Sequence, residues 1–185
     1  MDKESNSALF KYPVTGIWDA YEQESYIETA MDINADEAIR FVCIEHEFGL
    51  YGGELGEYLL GFLSMLEKPF VIRFHTVLPN PAAKRWSIVK SIAMLAVKVI
   101  VMTKQSVRIL KEDYNINADK IVLIRHGTHP PGTVDKNELK TKYNLQHKQV
   151  LTTFGLLSPN KGIEKGILAM KQISGEHIRS WGNRR

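Results

Sequence analysis

Five short apolar runs recur along this chain at a steady interval, and they constrain the fold more than anything else in it. They are Phe41–Ile44, Phe70–Phe74, Val97–Met102, Ile121–Ile124 and Val150–Phe154. Each is rich in Val, Ile or Phe, and none alternates cleanly between apolar and polar residues. A strand with one wet face alternates, whereas a strand covered on both faces reads as a continuous apolar run. Val14–Ile17 is a weaker candidate of the same kind.

Helical patterns fill the intervals. Leu55, Tyr58, Leu59, Phe62, Leu63 and Leu66 recur three and four apart, which lines one face of a helix. Asn80 followed by Pro81 predicts a cap and a first helical residue, with Trp86, Val89 and Ala93 turned inward. Thr103 is placed to cap a helix carrying Val107 and Leu110. Ile163, Ile167 and Met170 suggest another, and Tyr26, Ile27 and Ala30 one more before the first strand. Strand, helix, strand, repeated, predicts an α/β fold: a Rossmann-like parallel sheet with helices on both faces. His129-Pro130-Pro131-Gly132 is the best linker, because two prolines and a glycine stop regular structure. After Ser174 the chain turns polar and basic without any period.

Composition narrows the function classes. The chain has 185 residues, 44% hydrophobic and 24% charged, which is ordinary for a folded domain. A net charge of +3, spread without basic runs, gives no electrostatic footprint for nucleic acid. Arg179, Arg184 and Arg185 have only Trp181 beside them as a stacking aromatic, so no nucleic-acid partner is expected. The lone cysteine, Cys43, excludes an internal disulfide and a paired-cysteine metal site, and it reads as a small buried side chain. No apolar stretch approaches the roughly 18 residues of a membrane span. The opening MDKESNSALFKY lacks the basic-then-apolar order of a signal peptide. A cytoplasmic protein is the expectation, with peripheral membrane contact left open.

In open parallel sheets ligands bind beyond the carboxyl ends of the strands. The first run leads into EHEFGLYGGELG, placing His46 and Glu47 at a strand exit and Gly49, Gly52, Gly53 and Gly56 in a loop that a ligand could approach closely. Glu54 and Glu57 are expected in the first helical turn, where they would satisfy its positive end and disfavour bare phosphate. The competing reading is a tight turn with His46 packed inside. The second run leads into RFHTVLPNP, where the His75 imidazole could donate to an oxygen or take a proton from a hydroxyl. A histidine satisfied by loop carbonyls is its alternative. His126-Gly127 follows the fourth run as either a cleft element or a plain turn. After the fifth run, Gly155 ends the strand and Lys161 stands before a helix starting near Ile163, a physical anion site that lacks the P-loop pattern. A solvated loop charge is the alternative there.

Taken in order, the segments CIEHEFGLYGG, PFVIRFHTVLPNP, VIVMTKQSVRIL, KIVLIRHGTH and TTFGLLSPNKGIEKGILAM resemble glycosyltransferase family 4, from about Asn34 to Ile173. That family comprises retaining enzymes of the GT-B fold, with two Rossmann-like domains facing each other across a cleft. The resemblance implies transfer of a sugar from a nucleotide-sugar donor to a saccharide or lipid-linked acceptor, with no cofactor and no metal. It implies His75 as the catalytic histidine lining the cleft. It also implies His46, Glu47, Gly52, Gly53, His126 and Gly127 on the acceptor side, and Gly155 with Lys161 at the donor diphosphate.

On this resemblance, residues 1–131 are expected to form the acceptor-side domain, incomplete at its N-terminus. Residues 132–174 would begin the donor-side domain, and 175–185 would be an unpatterned tail. Leu156 stands where the family often has an arginine, and the glutamate pair that usually touches the donor sugar has no counterpart here. The alternative function is a non-catalytic Rossmann-like binding or interaction module derived from such an enzyme.

Overall fold

The computed structural model describes residues 14, 16–129, 132, 134–155 and 161–173. The chain divides into two compact units between Thr128 and His129. Among the described residues the first unit holds four strands: β1 (Val42–His46), β2 (Phe70–Phe74), β3 (Lys98–Val101) and β4 (Ile121–Leu123). All are parallel, in the order β1-β2-β3-β4. The chain is thus an α/β protein built on a parallel sheet, and the first four apolar runs supply its strands.

The first unit also contains α1 (Gln23–Ala35), α2 (Leu59–Met65), α3 (Ala83–Leu95) and α4 (Lys104–Glu112). Three successive crossovers of the usual right hand, all stepping the same way across the sheet, carry α2, α3 and α4 to one face. The buried cluster fits that placement. It joins Tyr26, Ala30, Leu59, Phe62, Ile88, Ile92 and Leu110 from the helices to Ile44, Phe70, Ile72, Phe74, Val99 and Val101 from the strands. Each fully buried Leu, Ile or Phe contributes about 2 kcal/mol relative to exposure. The opposite strand positions are Cys43, Glu45, Val71, Arg73, Ile100 and Val122. Ile100 is buried but lies outside that cluster. Cys43 is exposed, not buried as expected, because it sits on the terminal strand and points away from the helix-covered face.

Several element boundaries differ from expectation for identifiable reasons. The second helix begins at Leu59, not near Leu55. Gly53 (φ 90°) and Gly56 (φ 79°) hold left-handed backbone just before it, which a right-handed helix does not accommodate. Glu54 and Glu57 therefore precede the helix, and both bind the Lys84 ammonium, at 2.6 and 2.8 Å. That contact holds the Glu57 carboxyl down to about 2. Asn80-Pro81 does not open α3, whose cap position is Ala82. Asn80 is left-handed (φ 48°), and its N–H donates to Asp113 Oδ2 at 2.8 Å, tying the loop to the end of α4. The inward stripe of α3 is Ile88, Val89, Ile92 and Ala93, which leaves Trp86 exposed. Ile27 is likewise on the outer side of α1.

Thr103 caps α4 as expected, its Oγ1 accepting from Ser106 N–H at 2.9 Å. Thr103→Ala should lower the unfolding free energy by about 1 kcal/mol, and Thr103→Ser should retain most of it, as read by urea titration.

The second unit contains α5 (Lys136–Lys142) and α6 (Ile163–Ile173). Val150–Phe154 does not form the fifth strand: the segment has no regular structure, and Phe154 is fully exposed. A strand needs a neighbour for its backbone groups, and no strand is present in this unit among the described residues. Val14, Gly16 and Ile17 also lie outside any strand. Pro130, Pro131 and the expected tail after Ser174 lie outside the described residues. No helix among the described residues is long and apolar enough to cross a membrane.

Candidate functional site

The register of the sheet assembles one polar cluster. His46 pairs with Phe74 and Glu45 with Arg73, so β1 and β2 end level with each other. His75 leaves β2 with its N–H donating to the His46 carbonyl at 3.0 Å, which extends the ladder by one bond. Glu45 and Arg73 project from the face opposite the helices and form an ion pair of 2.6 Å between Oε1 and Nη1. The other oxygen of Glu45 lies 2.7 Å from His75 Nε2. Glu47 Oε1 accepts from the Thr76 hydroxyl at 3.0 Å. The chain following β4 brings the exposed His126 ring to 6.1 Å from that of His75, centroid to centroid.

His75, Glu47 and His126 are therefore gathered at the carboxyl ends of the strands, where a ligand in a parallel sheet is expected. Glu45 and Arg73 belong to the same cluster and were not among the sequence candidates. In the sequence Arg73 is embedded in the second apolar run and Glu45 directly follows the first, with opposite signs, but nothing in it marks them as a pair. Beside the cluster an open groove of about 360 Å³ runs along β1, lined by Trp18, Cys43, Glu45, Leu50, Tyr51 and Phe62 among others. Tyr51 donates its hydroxyl to the Glu45 carbonyl at 2.7 Å, and burial pushes its phenol up to about 12.

His46 does not face this cluster. It is fully buried, with its ring packed edge-on against Phe48 and Phe74 and stacked near Tyr51. Neither ring nitrogen has a hydrogen-bond partner among the described residues. Burial lowers its pKa to about 4, so the ring is neutral at physiological pH. The packed alternative for His46 is the one the fold adopts.

Gly52 is buried too, and its backbone is spent inside the protein. Its N–H donates to the Tyr26 hydroxyl at 2.9 Å, and that hydroxyl donates to the Ala20 carbonyl at 2.9 Å. Its carbonyl accepts from Tyr58 N–H at 3.2 Å. Both backbone groups of Gly52 are thus engaged inside the protein. Gly53 is exposed and holds the left-handed turn, whereas Gly127 is exposed with open space where a side chain would begin.

The donor-side candidates lie in the second unit. Lys161 is exposed and stands two residues before α6, separated from it by Gly162 (φ 64°). Gly155 is exposed at φ 116° and ends no strand. Leu156 to Asn160 lie outside the described residues. Among the described residues, no group of three or more His, Cys, Asp or Glu side chains could hold a metal ion. No family model matches the chain, and neither a curated protein nor a solved structure does.

Proposed function

We propose that this chain carries the acceptor-binding half of a retaining glycosyltransferase, with the acceptor a saccharide or lipid-linked sugar and the donor a nucleotide sugar. The observation that carries the reading is His75, held at 2.7 Å by Glu45 at the carboxyl end of β2 and facing His126. Imidazoles and carboxylates converging at a strand edge suit a hydroxyl-rich ligand, since they offer both acceptors and donors to its hydroxyls. In such transfer an acceptor hydroxyl attacks the anomeric carbon while the nucleoside diphosphate leaves from the same face. Growing charge on the leaving group is where a cation such as Lys161 would help.

The test is to incubate the purified chain with nucleotide sugars and mono- or disaccharide acceptors, and to follow nucleoside diphosphate release. Acceptor-dependent release supports transfer, and its absence with every donor overturns it. His75→Ala should weaken saccharide binding by about ten-fold, the loss of one or two hydrogen bonds, measured by calorimetry.

A second reading is a saccharide-binding module without transfer. The unpaired state of Val150–Phe154 favours it, because the donor-side residues Gly155 and Lys161 then follow no strand end. Saccharide binding that depends on His75, without diphosphate release, would select this reading.

A further inference from the structure

We propose that Glu45 is a positioning residue that fixes the tautomer of His75, leaving Nδ1 as a lone pair offered to a ligand hydroxyl. The proposal rests on the reading of this cluster as a site for hydroxyl-rich ligands, and it names which atom of His75 meets them.

An ionised carboxylate only accepts hydrogen bonds, so the nitrogen facing Glu45 Oε2 at 2.7 Å carries the hydrogen. In a neutral imidazole the other nitrogen, Nδ1, then holds the lone pair. Nδ1 has no hydrogen-bond partner among the described residues, and the exposed His126 ring lies 6.1 Å away, centroid to centroid. Arg73 makes the arrangement rigid. It occupies the other carboxylate oxygen at 2.6 Å, so Glu45 cannot turn away without breaking an ion pair formed across two strands in register. The backbone supplies a second restraint, because His75 N–H is bound to the His46 carbonyl.

The consequence is a selection rule for the ligand. The atom that meets Nδ1 must donate, as a hydroxyl does and a phosphate or carboxylate oxygen does not. As that hydroxyl reacts, its hydrogen passes to Nδ1, and the imidazolium formed is stabilised by the Glu45 carboxylate through the Nε2–H bond. This is how a second group orients and supports a base in other sites.

The test is direct observation of the ring nitrogens by ¹⁵N NMR of histidine-labelled protein near neutral pH, with His75 assigned from the His75→Asn variant. The expected wild-type signature is Nε2–H with an unprotonated Nδ1. Glu45→Gln should reverse it. The amide oxygen will turn to the donor-only Arg73, presenting an NH₂ to Nε2, which must then accept. Arg73→Met keeps the carboxylate and should keep the wild-type tautomer, even if Glu45→Gln proves unstable. A wild-type ring protonated at Nδ1, or an unchanged tautomer in folded Glu45→Gln, would overturn the proposal. The measurement is made without ligand, so a failure of sugar transfer leaves its outcome intact and the two failures stay distinguishable.

Discussion

Gly52→Ala should lower the unfolding free energy by about 4 kcal/mol, close to the upper end for a single methyl group. A Cβ at this position would lie 2.0 Å from the Ala20 carbonyl oxygen and 2.4 Å from Tyr58 Cδ2. The first contact is with backbone, so no change of rotamer relieves it. Moving the Gly52 backbone instead breaks its bond to the Tyr26 hydroxyl, and with it the relay to Ala20. Tyr26 is fully buried, so those groups would be left without partners in the core, which adds to the steric cost. Gly53→Ala is the internal comparison. Its Cβ would meet the carboxyl end of Glu57 at 2.5 Å, a flexible group that can swing aside. The remaining cost is the left-handed backbone, about 1–2 kcal/mol, together with a loosened contact to Lys84. Urea unfolding of the two variants should rank Gly52→Ala well below Gly53→Ala. A Gly52→Ala protein within 1 kcal/mol of the parent would mean that Ala20 and the glycine loop are not packed as described.

The same loop shows what a sequence can and cannot disclose here. Its glycines were legible as special, but the reason was not. Openness to a ligand and closeness of packing demand the same residue, and only the position of Ala20, more than 30 residues away from it in sequence at Gly52, separates them. The strands were legible because burial on both faces leaves a simple mark, as Phe70–Phe74 shows by matching β2 end to end. Val150–Phe154 carries the same mark and forms no strand, since pairing depends on a neighbour and not on the segment itself. At the site, His75 was visible because it follows a strand directly. Glu45 and Arg73 were not, because their pairing depends on the register between β1 and β2. His46 was assigned to the ligand side although Ile44, two residues earlier, points into the core. Side chains two apart on a strand share a face, so that spacing already placed the imidazole inside.

That buried imidazole gives the fold a pH dependence in a window of its own. An unfolded chain protonates His46 near its ordinary value of 6.5, while burial holds the folded value at about 4. Above 6.5 the ring is neutral in both states and burial carries no titration penalty. As pH falls from 6.5 to about 4 the unfolded chain takes up a proton that the folded one cannot, so stability declines, and below that range the loss levels off. The depth of the decline is about 3 kcal/mol, from a shift of roughly two and a half units. Glu57 acts lower down: Lys84 holds it to about 2, so its contribution is present above 4.5 and fades only as pH drops toward 2. Unfolding measured by urea at about pH 7 and about pH 4.5 should therefore report mainly His46. His46→Met is the decisive variant. It replaces the ring by an apolar side chain of similar volume and removes two nitrogens that have no partner among the described residues. It should flatten the slope between pH 6.5 and 4.5 and leave stability near neutral pH equal or higher, because an unsatisfied buried polar group costs about 1–3 kcal/mol. An unchanged slope in this variant would mean that the ring is solvated in solution and that the end of β1 is more open than its packing against Phe48, Tyr51 and Phe74 implies.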